Sequence, residues 1–422
     1  FRRVLFRSGN RRTGKSSILS SMINSMDNVG LVETNLEFSP DASTRVLMNK
    51  KLSQLKLLFS NDAIRNMEKF DTTSGEFGGE KLTTATNEFN TYTFTLRCIN
   101  ERNRRPKRYK VDFVDIPGDW LTDGRNSGKV TELVEKSSVI FITVDSPALF
   151  EYRRKETQAG KDVGECHNAV NSPQLITEAL RDAYLSLKGA NDDKGGKASN
   201  KMTPKLVVFV PTKCEKYHYG CNMGDLKAAV KRGYKPLFDF LESAEEFTTA
   251  ISPILTLGGI VFDSYETVTS KSGIEMVKSM KDAPGIPEHQ YYKFKKDGKG
   301  QIAGRFEPKY CEQPLYYILA YINAIYEKAR KSENSIKAKL KEGGKWTAAG
   351  GLFGIPGLTS YFVYKIIKGK LKELFTDENM MKALKNAPAY IETDDPGFGI
   401  IYDHLGINEL IKEAKEANTV TV

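Results

Sequence analysis

Gly9-Asn10-Arg11-Arg12-Thr13-Gly14-Lys15-Ser16 has the form G-x-x-x-x-G-K-[ST], and its reading decides the fold. The two glycines let the backbone wrap closely round a phosphate chain, with successive N–H groups pointing at the anion. Those N–H groups belong to Gly9, Asn10, Arg11, Arg12, Thr13, Gly14, Lys15, Ser16 and Ser17. Lys15 has the reach for the β- and γ-phosphates, and the Ser16 hydroxyl suits Mg²⁺. The surroundings match. The apolar triplet Val4-Leu5-Phe6 precedes the loop, and an amphipathic helical pattern with Ile18, Leu19, Met22 and Ile23 follows it. A glycine-rich surface turn is the plainer alternative, and it explains neither flank.

Outward from the loop, the first eight residues, Phe1-Arg2-Arg3-Val4-Leu5-Phe6-Arg7-Ser8, look like a translated sequencing adapter joined in frame. On that reading the natural first strand is missing or overwritten, although Val4-Leu5-Phe6 can still serve as a strand. No function is assigned to Arg2, Arg3 or Arg7.

Period-two alternation begins at Tyr92, Phe94, Leu96 and Cys98, with Thr91, Thr93, Thr95 and Arg97 on the opposite side. Tyr109, Val111 and Phe113 form a second alternating run. The basic stretch Arg102 to Lys110 between them reads as an exposed hairpin tip rather than a nucleic-acid patch, so these two strands are expected to be antiparallel. Val139 to Val144 and Leu206 to Val210 are continuous apolar runs, as strands buried on both faces require. A further strand is expected near Thr249 to Leu255. Helices are expected over Leu47 to Phe70 (with a break at Ser60 to Asp62), Pro173 to Leu187, Leu226 to Ser243 and from Pro314. The last carries Leu315, Ile318, Leu319, Ile322 and Ile325 on one face. Asn191 to Asn200 reads as a loop, and Gly259 to Arg305 as a hairpin excursion. Strands alternating with helices predict an α/β fold, a mainly parallel sheet covered on both faces.

A phosphate-binding loop needs a carboxylate partner for Mg²⁺. Asp115 ends the second alternating strand and opens D-x-x-G with Gly118, whose N–H can meet the γ-phosphate. Thr212-Lys213-Cys214-Glu215 follows a buried strand directly. A carboxylate there can accept from guanine N1–H and N2–H, donors that adenine lacks. Thr256-Leu257-Gly258 follows the next strand and can present backbone N–H to guanine O6. Thr83, Thr84 and Thr86 precede the first alternating strand.

In this order the motifs resemble the TRAFAC class of P-loop GTPases over about residues 9 to 331. More narrowly, G-x-R-R-x-G-K-S, Asp115 to Leu121, Val144 to Leu149 and Pro211 to Tyr217 resemble bacterial conflict-system or double-GTPase-type proteins. The resemblance implies a three-layer, Ras-like P-loop NTPase core with a mixed six-stranded sheet. It implies GTP/GDP and Mg²⁺ as ligands, with slow hydrolysis, in a cytoplasmic switch of a defence-like system that works with a protein effector or regulator. The metal set it implies is Ser16, Asp115 and Thr86, with Thr86 the first-switch threonine. The base set is Thr212, Lys213, Glu215 and Thr256. Glu215 is a departure, since the family has Asp there. Asp119 is another, standing where Ras-like enzymes place the Gln that orients water. It can act as a base, bind a second cation or point away. Arg11 either stabilises transition-state charge beside Lys15 or pairs with an acid. A non-hydrolysing nucleotide-bound scaffold and a P-loop ATPase are the alternatives.

The chain has 422 residues, a net charge of +10 and five scattered cysteines, which fit a reducing compartment and no disulfide framework. The charge permits nucleotide, nucleic-acid or anionic-lipid partners and selects none. Cys214, His218 and Cys221 lie close together but match no familiar zinc spacing. Residues 332–422 are expected to form a C-terminal helical region, with amphipathic helices near Glu378 to Asn386 and Asn408 to Ala417. Within it, Trp346 to Ile367 is long enough to span a bilayer but is broken at Gly354-Ile355-Pro356-Gly357. A hairpin packed on the main domain is expected there, with peripheral contact to a membrane surface as the alternative.

Overall fold

The computed structural model describes residues 3–8, 18–22, 25, 34–60, 70–71, 76–77, 80–81, 90–99, 107–116, 126–150, 167–168, 170–192, 204–220, 223–265, 267–269, 275–277, 291–300, 302–342 and 374–419. In chain order the main elements begin with β1 (Arg3–Ser8), β2 (Leu36–Pro40) and α1 (Ala42–Ser60). Next come β3 (Asn90–Cys98), β4 (Tyr109–Asp115), α2 (Ser127–Lys136), β5 (Val139–Asp145) and α3 (Pro173–Asp192). β6 (Lys205–Thr212), α4 (Glu215–Gly220), α5 (Met223–Gly233), α6 (Lys235–Ser243) and β7 (Phe247–Ile251) follow. The chain closes with α7 (Gln313–Glu342), α8 (Glu378–Asn386), β8 (Gly399–Tyr402) and α9 (Ile407–Thr419).

The fold is α/β, built on one mixed eight-stranded sheet of order β8-β7-β6-β5-β1-β4-β3-β2. β4, β1, β5, β6 and β7 run parallel, whereas β3 is antiparallel to β4, β2 to β3 and β8 to β7. The sheet therefore carries two strands beyond the expected six. β2 and β8 are additions to the expected set; each is short and lacks a strong apolar run. Arg3–Ser8 sits in the middle of the sheet as β1, pairing with β4 on one side and β5 on the other. Whatever the origin of these residues, they supply a strand's backbone ladder.

Alternation divides the strands between two cores. Phe38, Phe94, Phe113, Phe141, Val208 and Val210 face one way, against Ile18, Leu19 and Met22 and against α7. Val114, Ile140, Ile142, Val144, Val207 and Phe209 face the other, against α2, α3, α5 and α6. Phe38 stacks on Phe94 at 4.7 Å between ring centroids, and Phe113 meets Phe94 edge-on at 5.1 Å. Such pairs add about 0.5–1.5 kcal/mol beyond the area they bury. β5 and β6 are buried along their whole length, as their apolar runs require.

α7 differs from expectation. Its apolar stripe is buried, but so are Tyr316, Tyr317, Ala320, Tyr321 and Ala324 on the other sides. α8, α9 and the 3-10 turn Ala387–Tyr390 pack against α7, and α8 also reaches β3. Gln313 anchors the turn: its Nε2 donates to the Tyr390 carbonyl at 3.1 Å, and its Oε1 accepts the Glu392 N–H at 2.8 Å. The two expected C-terminal helices are present as α8 and α9, and β8 between them joins the sheet at β7. The hairpin excursion is also present in the described residues, with Phe262–Tyr265 antiparallel to Tyr291–Phe294. Among the described residues no helix is long and apolar enough to cross a membrane. Trp346 to Ile367 lies outside them.

Candidate functional site

Parallel register brings the expected motif residues to one edge. Phe6 pairs with Asp115, Ser8 with Thr143, and Asp145 with Thr212. The carboxyl ends of β1, β4, β5 and β6 therefore lie side by side. The segment after β7 joins them, since the Ser252 N–H donates to the Phe209 carbonyl at 2.8 Å and the Ile254 N–H to the Pro211 carbonyl at 3.0 Å. In open α/β sheets, ligands bind outside this edge. Ser8 ends β1, and Ile18 to Met22 are helical. Gly9, Asn10, Arg11, Arg12, Thr13, Gly14, Lys15, Ser16 and Ser17 lie outside the described residues, as do Thr86, Gly118 and Asp119.

Asp145, the last residue of β5, organises the edge. Its Oδ2 receives the Lys213 Nζ at 2.5 Å, and its Oδ1 receives the Ala148 N–H at 3.0 Å. Its backbone is clamped by Asn171, whose Oδ1 accepts the Asp145 N–H and whose Nδ2 donates to the Asp145 carbonyl. The Asp145 side chain is 1% exposed and that of Lys213 is 18%. A desolvated, well-satisfied pair of this kind is costly to break from one side. Lys213 also holds a left-handed backbone, φ 57°, which is rare for a residue with a Cβ and tends to occur at functional sites. The Thr212 hydroxyl donates to the Val144 carbonyl at 3.2 Å, tying β6 back to β5.

Glu215, the first residue of α4, turns inward. It is 1% exposed, and its Oε1 accepts the Leu257 N–H at 2.7 Å. Burial raises its carboxyl to about 7, against the opposing pull of the N–H groups of Leu257, Glu215 itself and Gly258 and of the Lys213 charge. Thr256 is buried beside it, and its carbonyl accepts the Ser21 hydroxyl at 3.5 Å. The segment after β7 is thus tied both to the helical turn that follows the glycine-rich loop and to Glu215. Leu255 exchanges both backbone hydrogen bonds with Lys309 at 3.0 Å. Gly258 has φ 69°, and a Cβ there would sit 1.8 Å from the Glu307 carbonyl oxygen, so only glycine fits.

Asp115 is fully buried at the end of β4. Among the described residues, no group of three or more His, Cys, Asp or Glu side chains could hold a metal ion. Mg²⁺ bound chiefly by phosphates, a hydroxyl and water needs only one or two carboxylates, so a single hard oxygen donor at the strand end fits it. Cys214 is buried, with its Sγ 3.3 Å from the Ser146 hydroxyl. His218 faces Asp395, and Cys221 lies outside the described residues.

The structure thus gathers Asp115, Thr212, Lys213, Glu215 and Thr256 at one edge. Asp145 lies within the Val144 to Leu149 segment, in which the sequence assigns it no role of its own. An acid closing a fully apolar run, followed by Ser-Pro, was the available signal, because such an acid caps the helical turn that begins there. Asn171 carries no comparable signal. The chain matches no model of a known protein family and no curated protein.

Proposed function

We propose that this protein is a Mg²⁺-dependent GTP-binding switch that hydrolyses GTP slowly. The observation that carries this reading is the common edge. Asp115 ends β4 directly beside β1, and Thr212-Lys213-Cys214-Glu215 follows β6, separated from β1 by β5 alone; the carboxyl end of β1 leads directly into Gly9 to Ser16. The same proposal takes β3-β4-β1-β5-β6-β7 as a Ras-like, three-layer P-loop core, with β2 and β8 as edge additions. Two features support it: within those six strands only β3 runs antiparallel, and helices cover both faces.

In this reading Lys15 and the loop N–H groups hold the phosphates, and Ser16, Asp115 and Thr86 hold the metal, which supplies charge neutralisation at the β- and γ-oxygens. Asp119 in place of a water-orienting Gln keeps turnover slow. The setting is the cytoplasm, with a protein effector or regulator. A second reading is a P-loop nucleoside triphosphatase not confined to guanine. The inward commitment of Glu215 favours it.

Calorimetric titration of the full chain with GTP and with ATP, each with Mg²⁺, tests both readings. The parent binds GTP, and Lys15→Ala loses most of that affinity while keeping the parent's circular dichroism. Equal affinities of parent and Lys15→Ala would sink the phosphate-site reading.

A further inference from the structure

A carboxylate that reads guanine turns its two oxygens toward N1–H and N2–H of the base. Glu215 instead gives Oε1 to the Leu257 N–H at 2.7 Å while almost fully buried. That bond removes two parts of guanine recognition together. It commits the acceptor, and it occupies a donor of the Thr256-Leu257-Gly258 segment otherwise open to guanine O6.

The reach depends on side-chain length. An Asp at this position is shorter by one C–C bond, about 1.5 Å, and falls short of Leu257. The segment is meanwhile fixed from other directions by Ser21 on the Thr256 carbonyl, by the Leu255–Lys309 pairing and by the steric demand at Gly258. Glu215 completes this set of ties from the α4 side.

We propose that Glu215 is a positioning residue for the base-side loop, and that the site takes purine nucleoside triphosphates with little preference between GTP and ATP. This rests on the nucleotide-binding reading and changes only its base preference.

Full-length parent, Glu215→Gln, Glu215→Ala and Glu215→Asp are each titrated with Mg²⁺-GTP and Mg²⁺-ATP. The parent's two dissociation constants lie within about tenfold, a difference of under ~1.4 kcal/mol. Glu215→Gln keeps both, because its amide oxygen still accepts the Leu257 N–H. Glu215→Ala weakens both by a common factor of about ten, the loss of one buried hydrogen bond. Glu215→Asp frees the loop donor, restores an outward acceptor pair and raises GTP affinity relative to ATP. A parent that prefers GTP by more than tenfold overturns the proposal. So does a Glu215→Gln or Glu215→Ala protein that loses GTP selectively while its ATP affinity is unchanged. If Glu215→Ala does not fold, Glu215→Gln decides on the same criterion. A parent that binds neither nucleotide overturns the nucleotide-binding reading itself, and this inference with it.

Discussion

Glu215 makes the protein's stability depend on pH near neutrality. Burial lifts its carboxyl from the ordinary 4.5 to about 7. The folded protein then holds this proton more tightly than the unfolded chain does. Its contribution to stability is full below about 4.5, declines as pH rises, and is lost once pH passes about 7. Glu215→Gln removes the titration and keeps the carbonyl acceptor for Leu257. Thermal melts of parent and Glu215→Gln between pH 5 and 8 should therefore diverge, with the parent losing melting temperature relative to the variant as pH rises. Parallel curves would show that the buried carboxyl does not titrate in this range. The residue's place was legible in the sequence, because a T-K-x-E stretch after an apolar strand marks the sheet edge. Its direction was not. Whether a carboxylate points outward or folds back depends on a partner N–H forty-two residues downstream, and the departure from Asp to Glu does not name that partner.

Elements were legible where burial dictates composition, and much less so where a single contact does. β5 announces itself as an apolar run interrupted only by Thr143, β6 as the unbroken run Leu206 to Val210, and β3 by strict alternation. β2 pairs with β3 from Leu36 to Pro40 over too few residues to establish a period. β8 is half-buried throughout and shows no alternation in exposure. The end of α2 is one of the unannounced contacts. Lys205, first residue of β6, is 4% exposed, and its ammonium donates to the carbonyls of Val134 at 3.1 Å, Glu135 at 2.9 Å and Ser137 at 2.5 Å. These carbonyls sit at the end of the helix, where intrahelical donors run out and the dipole is negative, so a buried cation is compensated there. A Lys in a strand ordinarily reads as solvent-facing, and its role here follows only from the contact between β6 and the end of α2. Lys205→Met keeps the stem's packing and removes the three charge-assisted bonds. Urea unfolding should show a loss of about 2 kcal/mol or more. A midpoint unchanged within error would mean that water replaces the ammonium without cost.

At the scale of the whole molecule, the C-terminal region is part of the core. The sequence predicts a C-terminal helical region but not what its helices cover, because amphipathic helices alone do not declare it. In the structure α7 is the point of contact. Its stripe of Leu315, Ile318, Leu319 and Ile322 is buried, and from Gln313 to Ile325 its remaining sides are buried as well, packed against α8, α9 and the turn between them. The Tyr109 hydroxyl of β4 donates to Asp377 at 2.9 Å, and the same side chain accepts the Met380 N–H that opens α8. β8 adds backbone pairing along β7. Chain ending at Glu373 would lose the buried side chains of Leu374, Met380, Met381, Leu384, Ile391, Leu405, Ile407 and Ile411. Even at about 1.5 kcal/mol each, the low end for full burial, their loss matches the ~5–15 kcal/mol by which an ordinary domain is stable. It also uncovers the tyrosines of α7 and leaves β7 as an unpaired edge, a template for association with other chains. The truncated chain should therefore lack the parent's cooperative urea transition, bind a dye selective for exposed apolar surface, and elute as aggregate by size exclusion. A truncated chain that unfolds in a single transition at the parent's midpoint would show instead that residues 1–373 carry a complete core, and that the C-terminal cover is an accessory.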